Sequence, residues 1–415
     1  MLVKLIILFN TFLLLLFNSS LFPQTGWYII PSVTSESIYD LNQGPGNFYW
    51  LAGSNGLIMQ SSDVGKSWIQ LNTGTNRNLK KMFQPASNQI WVAGDAGTVI
   101  LSTNSGTNWN LVNPGTTVNF NSIFSRGSGV AYVVGDSGSC YYSDDLGNTW
   151  SIRTVPTNQK INDGIGPLSG TSLIALVGGT NGVIFKTTDA GVNWVSVQSG
   201  TTEDINAFGF GPGVVFAVGS NGAMIKTTDA GNSWSSVSVP TSENLFSVDA
   251  SKQNANWIIA CGSNGTIIKS TDAGTSWFLQ ASPTTENLNC VYAASNSIHF
   301  AGGMDGTLLK TNDGGGDPVG INDEEEIPTE FSLDQNYPNP FNPSTTIKFT
   351  IPEASYVSLK IFNSLGEAIE TLVAEELSAG NYKHELNATK LTSGIYFYIL
   401  NTGKFLETKK MILLK

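Results

Sequence analysis

The sequence predicts an all-β chain: a seven-bladed β-propeller whose N-terminal strand closes the last blade, followed by a small Ig-like β-sandwich. Three observations carry this. A turn built on Asp, Gly and Trp recurs, with steps of 41, 41, 44, 40 and 43 residues between Trp68, Trp109, Trp150, Trp194, Trp234 and Trp277. A Gly stands ten residues before every Asp position and opens a Gly-x-x-Gly turn, as in Gly219-Ser220-Asn221-Gly222. Beyond residue 330 the repeat gives way to short alternating apolar stretches. A fixed period of about 40 residues containing four short strands is the mark of a propeller blade.

Each element has a local reason. The turn first occurs as Ser61-Ser62-Asp63-Val64-Gly65-Lys66-Ser67-Trp68, and its Asp position is then filled by Asn104, Asp145, Asp189, Asp229, Asp272 and Asp313. Asp bonds its own backbone two residues on, and Gly supplies the positive φ of the reversal. The Trp that follows can bury about 150–250 Å², on the order of 4–6 kcal/mol per blade. Asp63, Asn104, Asp145, Asp189, Asp229, Asp272 and the six Trp are therefore expected to be structural. The seventh copy stops at Asp313-Gly314 with Pro318 where Trp is due, while Trp27 lies 41 residues before Trp68. Gly26–Ile30 is thus expected to supply the missing strand and remove a free sheet edge.

This pattern resembles the Asp-box, or bacterial neuraminidase repeat, and the array over residues 25–316 resembles the photosystem II assembly/stability factor-like propellers. The resemblance is strong for fold and weak for activity.

Composition places the chain outside the cytoplasm. Lys4 followed by the apolar run Leu5–Phe17 reads as a signal peptide within residues 1–24, cleaved between Asn18 and Thr25. The run is too short to span a bilayer, and no other stretch could. Charged residues are 13% and the net charge is −11, which excludes a nucleic-acid binder. The odd cysteine count (Cys140, Cys261, Cys290) leaves at least one free thiol. Burial as small hydrophobes is the expectation, with a Cys261–Cys290 bridge as the alternative.

Residues 317–330, with Asp323-Glu324-Glu325-Glu326, read as an acidic tether. After it, strands are expected over Thr345–Ile351, Tyr356–Phe362, Ala368–Leu372, Gly380–Leu386, Ile395–Leu400 and Lys404–Leu414, the pattern of an antiparallel sandwich. The run Asn336-Tyr337-Pro338-Asn339-Pro340-Phe341-Asn342-Pro343, the segment Gly394-Ile395-Tyr396-Phe397-Tyr398 and the ending Lys409–Lys415 resemble the type IX secretion (Por system) C-terminal sorting domain over residues 331–415. That resemblance implies an outer-membrane translocon as partner, a Gram-negative host of the Bacteroidota and related lineages, and a surface or secreted destination with the sorting domain removed after translocation.

No catalytic residue, metal site or cofactor is assigned. The only two histidines, His299 and His384, lie in different domains, so neither a Ser-His-Asp triad nor a multi-His metal centre is expected in the propeller. The resemblance invites a sialidase, which would need three arginines converging from separate blades. Arg77, Arg126 and Arg153 are the chain's only arginines and occupy unrelated blade positions. A xyloglucanase-like hydrolase would need two facing propellers. The candidate ligand residues are instead those nine positions after each Trp, namely Glu36, Arg77, Gln159, Glu203, Glu243 and Glu286, joined by Asp95, Asp136 and Asp305 of the Gly-x-x-Gly turns. They are expected to ring one mouth of the channel as an acidic funnel for cations or basic ligands. The expected function is a monomeric, non-enzymatic binding module for protein or glycan, with a polysaccharide-acting glycoside hydrolase as the competing class.

Overall fold

The computed structural model describes residues 26–31, 33–44, 48–168, 173–316, 318–319, 330–377 and 379–415. The expected signal peptide and most of the expected tether lie outside them. The chain divides into two units, Met1–Val319 and Gly320–Lys415.

The first unit is the seven-bladed propeller. Its first blade runs Ile38–Gln43, Tyr49–Gly53, Ile58–Ser61 and Ile69–Gln70, hydrogen-bonded in that order, and the next five begin at Leu79, Phe120, Ile161, Ile205 and Leu245. The seventh takes Leu288–Ala293, His299–Gly303 and Leu308–Thr311 from one end of the chain and Trp27–Ile29 from the other. The N-terminal strand therefore closes the ring as expected, with Trp27 opposite Thr311. One extra strand, Pro318–Val319, pairs with Leu279 and Gln280 at the outer edge of the sixth blade. The chain thus leaves the propeller two residues beyond residue 317, where the tether was expected to start.

The Asp-turns are held by their side-chain oxygens, but the Asp63 carboxylate accepts the N–H groups three and four residues on, where two residues on was expected. In the first, the Ser61 hydroxyl donates to Asp63 Oδ1 (2.9 Å) and accepts from the Gly65 N–H (2.8 Å), while Ser67 donates its N–H and hydroxyl to the two Asp63 oxygens (2.9 and 2.7 Å). Each turn also seals a joint between blades. Gly106 takes φ +81°, and a Cβ there would lie 2.3 Å from the Trp50 ring of the preceding blade. The Trp rings follow the same rule: Trp68 meets Phe300 edge-on at 6.4 Å and Trp277 meets Phe216 at 5.9 Å. Trp27, Trp194 and Trp277 are buried, while Trp68, Trp109, Trp150 and Trp234 keep an exposed edge. Asp313, which lacks a following Trp, accepts the Gly26 N–H instead (2.7 Å) and so ties the two ends of the propeller together.

All three cysteines are buried free thiols. Cys261 donates to the Leu288 carbonyl and Cys290 to that of Gly302, so neither sulfur is spent on a bridge.

The second unit is a sandwich of a three-stranded sheet (Ser332–Leu333, Ser344–Ile351, Gly380–Asn387) and a four-stranded sheet (Ala368–Leu377, Ser355–Phe362, Gly394–Asn401, Leu406–Leu413). Alternate residues Ile347, Phe349, Ile351 and Val357, Leu359, Ile361 fill its core, the period-two pattern of half-buried strands. The strand starting at Ala368 runs five residues further than expected, because its backbone keeps pairing with Ser355–Leu359 even though most of its side chains are exposed.

The proline-rich run is structural scaffolding. Asn336 is buried; its N–H donates to the Tyr398 hydroxyl (2.7 Å) and its amide to the Pro338 carbonyl and Thr345 Oγ1. Asn339 Oδ1 accepts the Ile412 N–H (2.9 Å), and Phe341 pairs with Leu413. Tyr396, which follows Gly394, donates its hydroxyl to the Thr392 carbonyl (2.7 Å). The two ends of the sandwich are thereby bound to one another.

Candidate functional site

The channel is lined by the first strand of every blade, and all seven strands carry the same irregularity. Pairing skips one residue between Ile38 and Asp40, and likewise at Tyr39's counterparts Lys80, Asn121, Asn162, Asn206, Phe246 and Asn289. Such a bulge breaks the in–out alternation, so two successive residues face the channel. The bulged residues form a first ring. Asn121, Asn162, Asn206 and Asn289 each donate Nδ2 to the carbonyl that opens the next blade's first strand, those of Ile161, Ile205, Leu245 and Ile38. The residues after them form a second ring that includes Asp40, Lys81, Ser122 and Asp163.

The second ring narrows the channel between two cavities. The smaller, about 90 Å³, lies on the side of the Gly-x-x-Gly turns; the larger, about 280 Å³, opens at the other mouth, and Asp40, Lys81 and Asp163 line both. Lys81 Nζ lies 3.3 Å from Asp40 Oδ1. Burial works against the Lys81 charge, but the Asp40 and Asp163 carboxylates outweigh it and hold the ammonium above its ordinary pKa. The channel carboxylates also join blades. Asp40 accepts the Met82 N–H (2.8 Å), Asp163 that of Phe208 (2.8 Å) and Asp249 that of Ala293 (3.0 Å). Asp163 further accepts the Ser122 hydroxyl (2.6 Å).

The two mouths differ in kind. The turn-side mouth repeats itself seven times. Thr34, Thr75, Thr116, Thr157, Thr201, Thr241 and Thr284 stand seven residues after each Trp, and each Oγ1 accepts the N–H two residues on. Six of the residues expected to form an acidic funnel are among those donors, and several spend their side chains on the adjacent Gly-x-x-Gly turn. Glu36 accepts from Ser54 and Asn55, Gln159 from Thr180 and Asn181, Glu203 from Asn221, and Glu243 from Ser263 and Asn264. The Ser263 hydroxyl and the Asn264 amide hold the Glu243 carboxyl below its ordinary range. Asp95 pairs with Lys80 and accepts from Asn78, and Asp136 accepts from Asn119 and Asn121. Arg77 uses its carbonyl to receive the Gly56 N–H, Glu286 likewise receives that of Gly265, and Asp305 sits at φ +51° within its turn. Among the described residues no group of three or more His, Cys, Asp or Glu is arranged to hold a metal ion. The threonine column was readable in the sequence at a constant offset of seven from each Trp, two residues before the glutamate position.

The loop-side mouth is built from connections of unequal length, from residues 87–88 and 212–213 to 125–130 and 251–257. Here lie Phe83, Phe124, Phe208, Phe210 and Tyr292, with Asp249 and Lys252. Lys252 Nζ donates to Asp249 Oδ1 (2.7 Å) and sits 5.2 Å from the Tyr292 ring centre. Sequence reasoning missed this cluster: Phe83, Phe124, Asp249 and Tyr292 share one repeat position, four residues after the apolar residue that opens each first strand, but no constant residue type marks it.

A propeller with a repeat-locked face and a variable, cavity-bearing face, followed by a sandwich, defines an all-β repeat protein in two units. The chain belongs to the family of the photosynthesis system II assembly factor YCF48, whose model matches residues 22–312, and residues 335–414 match the secretion system C-terminal sorting domain. No curated protein matches the chain. Among solved structures it is similar to YCF48 from Cyanidioschyzon merolae, with 19% identity, TM-score 0.58, and 69% of this chain and 99% of that one covered. It is also similar to YCF48 bound to D1 peptide, with 19% identity, TM-score 0.59 and 69% and 95% covered. PorZ, an essential bacterial surface component of the type IX secretion system of Porphyromonas gingivalis, shares 13% identity at TM-score 0.52; 92% of this chain aligns, spanning 60% of that one. These likenesses show the fold. The sorting domain marks the chain for type IX export to the cell surface. Among the described residues no helix is long and apolar enough to cross a membrane.

Proposed function

We propose that the mature propeller is a non-enzymatic binding module, working at the cell surface or in the medium after the type IX translocon has exported it and the sorting domain has been removed. The observation that carries this is the contrast between the mouths. Repeat hydrogen bonds occupy the turn-side mouth, while the loop-side mouth holds a cavity of about 280 Å³ with aromatic walls and a few polar groups. Concave sites of mixed apolar and polar lining are the usual ligand sites of folded proteins, and variable loops on a rigid scaffold carry recognition. The solved complex of a YCF48 propeller with a D1 peptide supports a protein ligand for this family's fold.

A hydrolase is the weaker reading. Glycoside hydrolysis takes two carboxylates, one to protonate and one to attack or activate water. Asp40, Asp163 and Asp249 are each tied to a backbone N–H of the next blade, and Asp40 and Asp249 also to a lysine. The test is to screen the full chain against a glycan array, a panel of peptides and a set of chromogenic glycosides. Binding without turnover is the expected result. Turnover abolished by a single carboxylate substitution would reverse the assignment. Export is tested by fusing residues 320–415 to a periplasmic reporter in a type IX-competent host, where the reporter is expected outside the outer membrane.

A further inference from the structure

Lys252 occupies a seat that a ligand could take. Its ammonium is held on one side by Asp249 Oδ1 at 2.7 Å and on the other by the ring of Tyr292, 5.2 Å from the centroid. A carboxylate and an aromatic face are the two elements that hold a cation out of bulk water. The Lys252 side chain is 49% exposed and stands on the loop 251–257, so it can swing into solvent without disturbing a core. Asp249 would stay in place, because its other oxygen accepts the Ala293 N–H.

Resting on the binding-module reading, we propose that the loop-side mouth recognises a lysine or arginine side chain of a protein partner, which displaces Lys252 from the Asp249–Tyr292 seat. Charge points the same way. The mouth is lined by three carboxylates, Asp40, Asp163 and Asp249, against the two ammonium groups of Lys81 and Lys252. With Lys252 swung out, a single fixed cation faces three anions, and an incoming cation restores the balance that the protein's own lysine maintains in the free state. An anionic ligand would meet the same carboxylates at a cost. Phe208 and Phe210, on the same wall, offer apolar surface to the methylene stem that a long basic side chain carries.

The experiment titrates the full chain, by NMR or calorimetry at low salt, with a five-residue glycine peptide bearing one central lysine, and with the same peptide bearing norleucine or glutamate. The lysine peptide is expected to bind about tenfold tighter than the norleucine peptide. Lys252→Ala is expected to tighten lysine-peptide binding about threefold or more by removing the resident competitor, and Asp249→Asn, which keeps an acceptor for Ala293, to weaken it about tenfold. Tyr292→Leu provides a second variant that leaves the charges untouched and is expected to weaken binding. Equal affinity for the lysine and norleucine peptides, or weaker binding by Lys252→Ala, would overturn the inference. If a neutral peptide or a glycan binds the mouth instead, and Phe210→Asp abolishes it, the basic-side-chain inference falls while the binding module stands. Hydrolysis of a glycoside in the same mouth would bring down both.

Discussion

Trp27 and Thr311 face each other across one antiparallel ladder, although one lies in the first strand of the propeller and the other in the third strand of its last blade. Thr311 also pairs with His299 on its other side, and the Trp27 indole stacks on the His299 ring at 6.3 Å. The closure is therefore a small core and more than a backbone seam. Removing residues 25–31 would expose the third strand of the seventh blade and take the Gly26 N–H from Asp313, which would keep only the Thr311 hydroxyl and the Gly315 and Gly316 N–H groups. The melting temperature is expected to fall sharply, with early proteolysis near residue 311. An unchanged melt would show that the ring does not need its clasp.

Gly106 and Gly115 separate two causes of glycine dependence. Both take φ +81°, but a Cβ on Gly106 would strike the Trp50 ring at 2.3 Å, whereas a Cβ on Gly115 meets nothing within 4 Å. Gly115→Ala is expected to cost about 1 kcal/mol from backbone strain alone. Gly106→Ala should cost more than 2 kcal/mol, because the indole cannot yield without reopening the joint between blades. Urea midpoints of the two variants, compared at constant slope, measure the difference.

Acid should weaken the propeller in two stages. Burial first, and then Lys269, push the His299 pKa from its ordinary 6.5 down to about 3. Between those values the unfolded chain carries the proton and the fold does not, so stability is lost as pH falls from about 6.5 to about 3, by up to about 1.4 kcal/mol per pH unit. The Asp-turns act lower. The Ser67 hydroxyl and N–H hold Asp63 at about 2 against an ordinary 3.8. Burial pushes Asp272 up, but the Ser276 hydroxyl and N–H outweigh it and leave the carboxyl at about 2. For these depressed carboxyls the contribution is present above about 3.8 and disappears as pH falls toward 2. His299→Phe is expected to flatten the first stage and leave the second, in denaturation midpoints taken from pH 7 to pH 2.

Asn336 should decide the fate of the sorting domain without touching the propeller. Its buried amide and N–H make bonds to Tyr398, Pro338 and Thr345. Asn336→Leu would leave the buried Thr345 hydroxyl and the Pro338 carbonyl with fewer partners and is expected to cost about 2–4 kcal/mol. Calorimetry should show one transition lowered and the other unmoved, and the variant should accumulate in the periplasm. A single shifted transition for the whole chain would contradict two independent units.

How legible all this was depended on whether a feature repeats. The Asp-turn, the Gly-x-x-Gly turn and the missing seventh Trp were visible because their conformations are set within a few residues by side-chain oxygens and by glycine's positive φ. The threonine column was equally visible and went unread, although it fixes the backbone at Glu36, Glu203 and Glu243. Those glutamates read as a ligand funnel in sequence because an offset says that residues share a ring and nothing about which hydrogen bonds they have already made.

The sequence by itself determined the seven-fold count, the closing strand, the free-standing sandwich and the export signal, since each rests on local turn chemistry or on a period that survives any detail of packing. Only the tertiary structure decided which residues face the channel. The bulge at Tyr39, Lys80, Asn121, Asn162, Asn206, Phe246 and Asn289 slips the alternation by one residue where seven strands converge. Asp40, Lys81 and Asp163 share one repeat position that the period shows, but only the slip turns that position into the channel and leaves Asp249, Lys252 and Tyr292 at the open mouth.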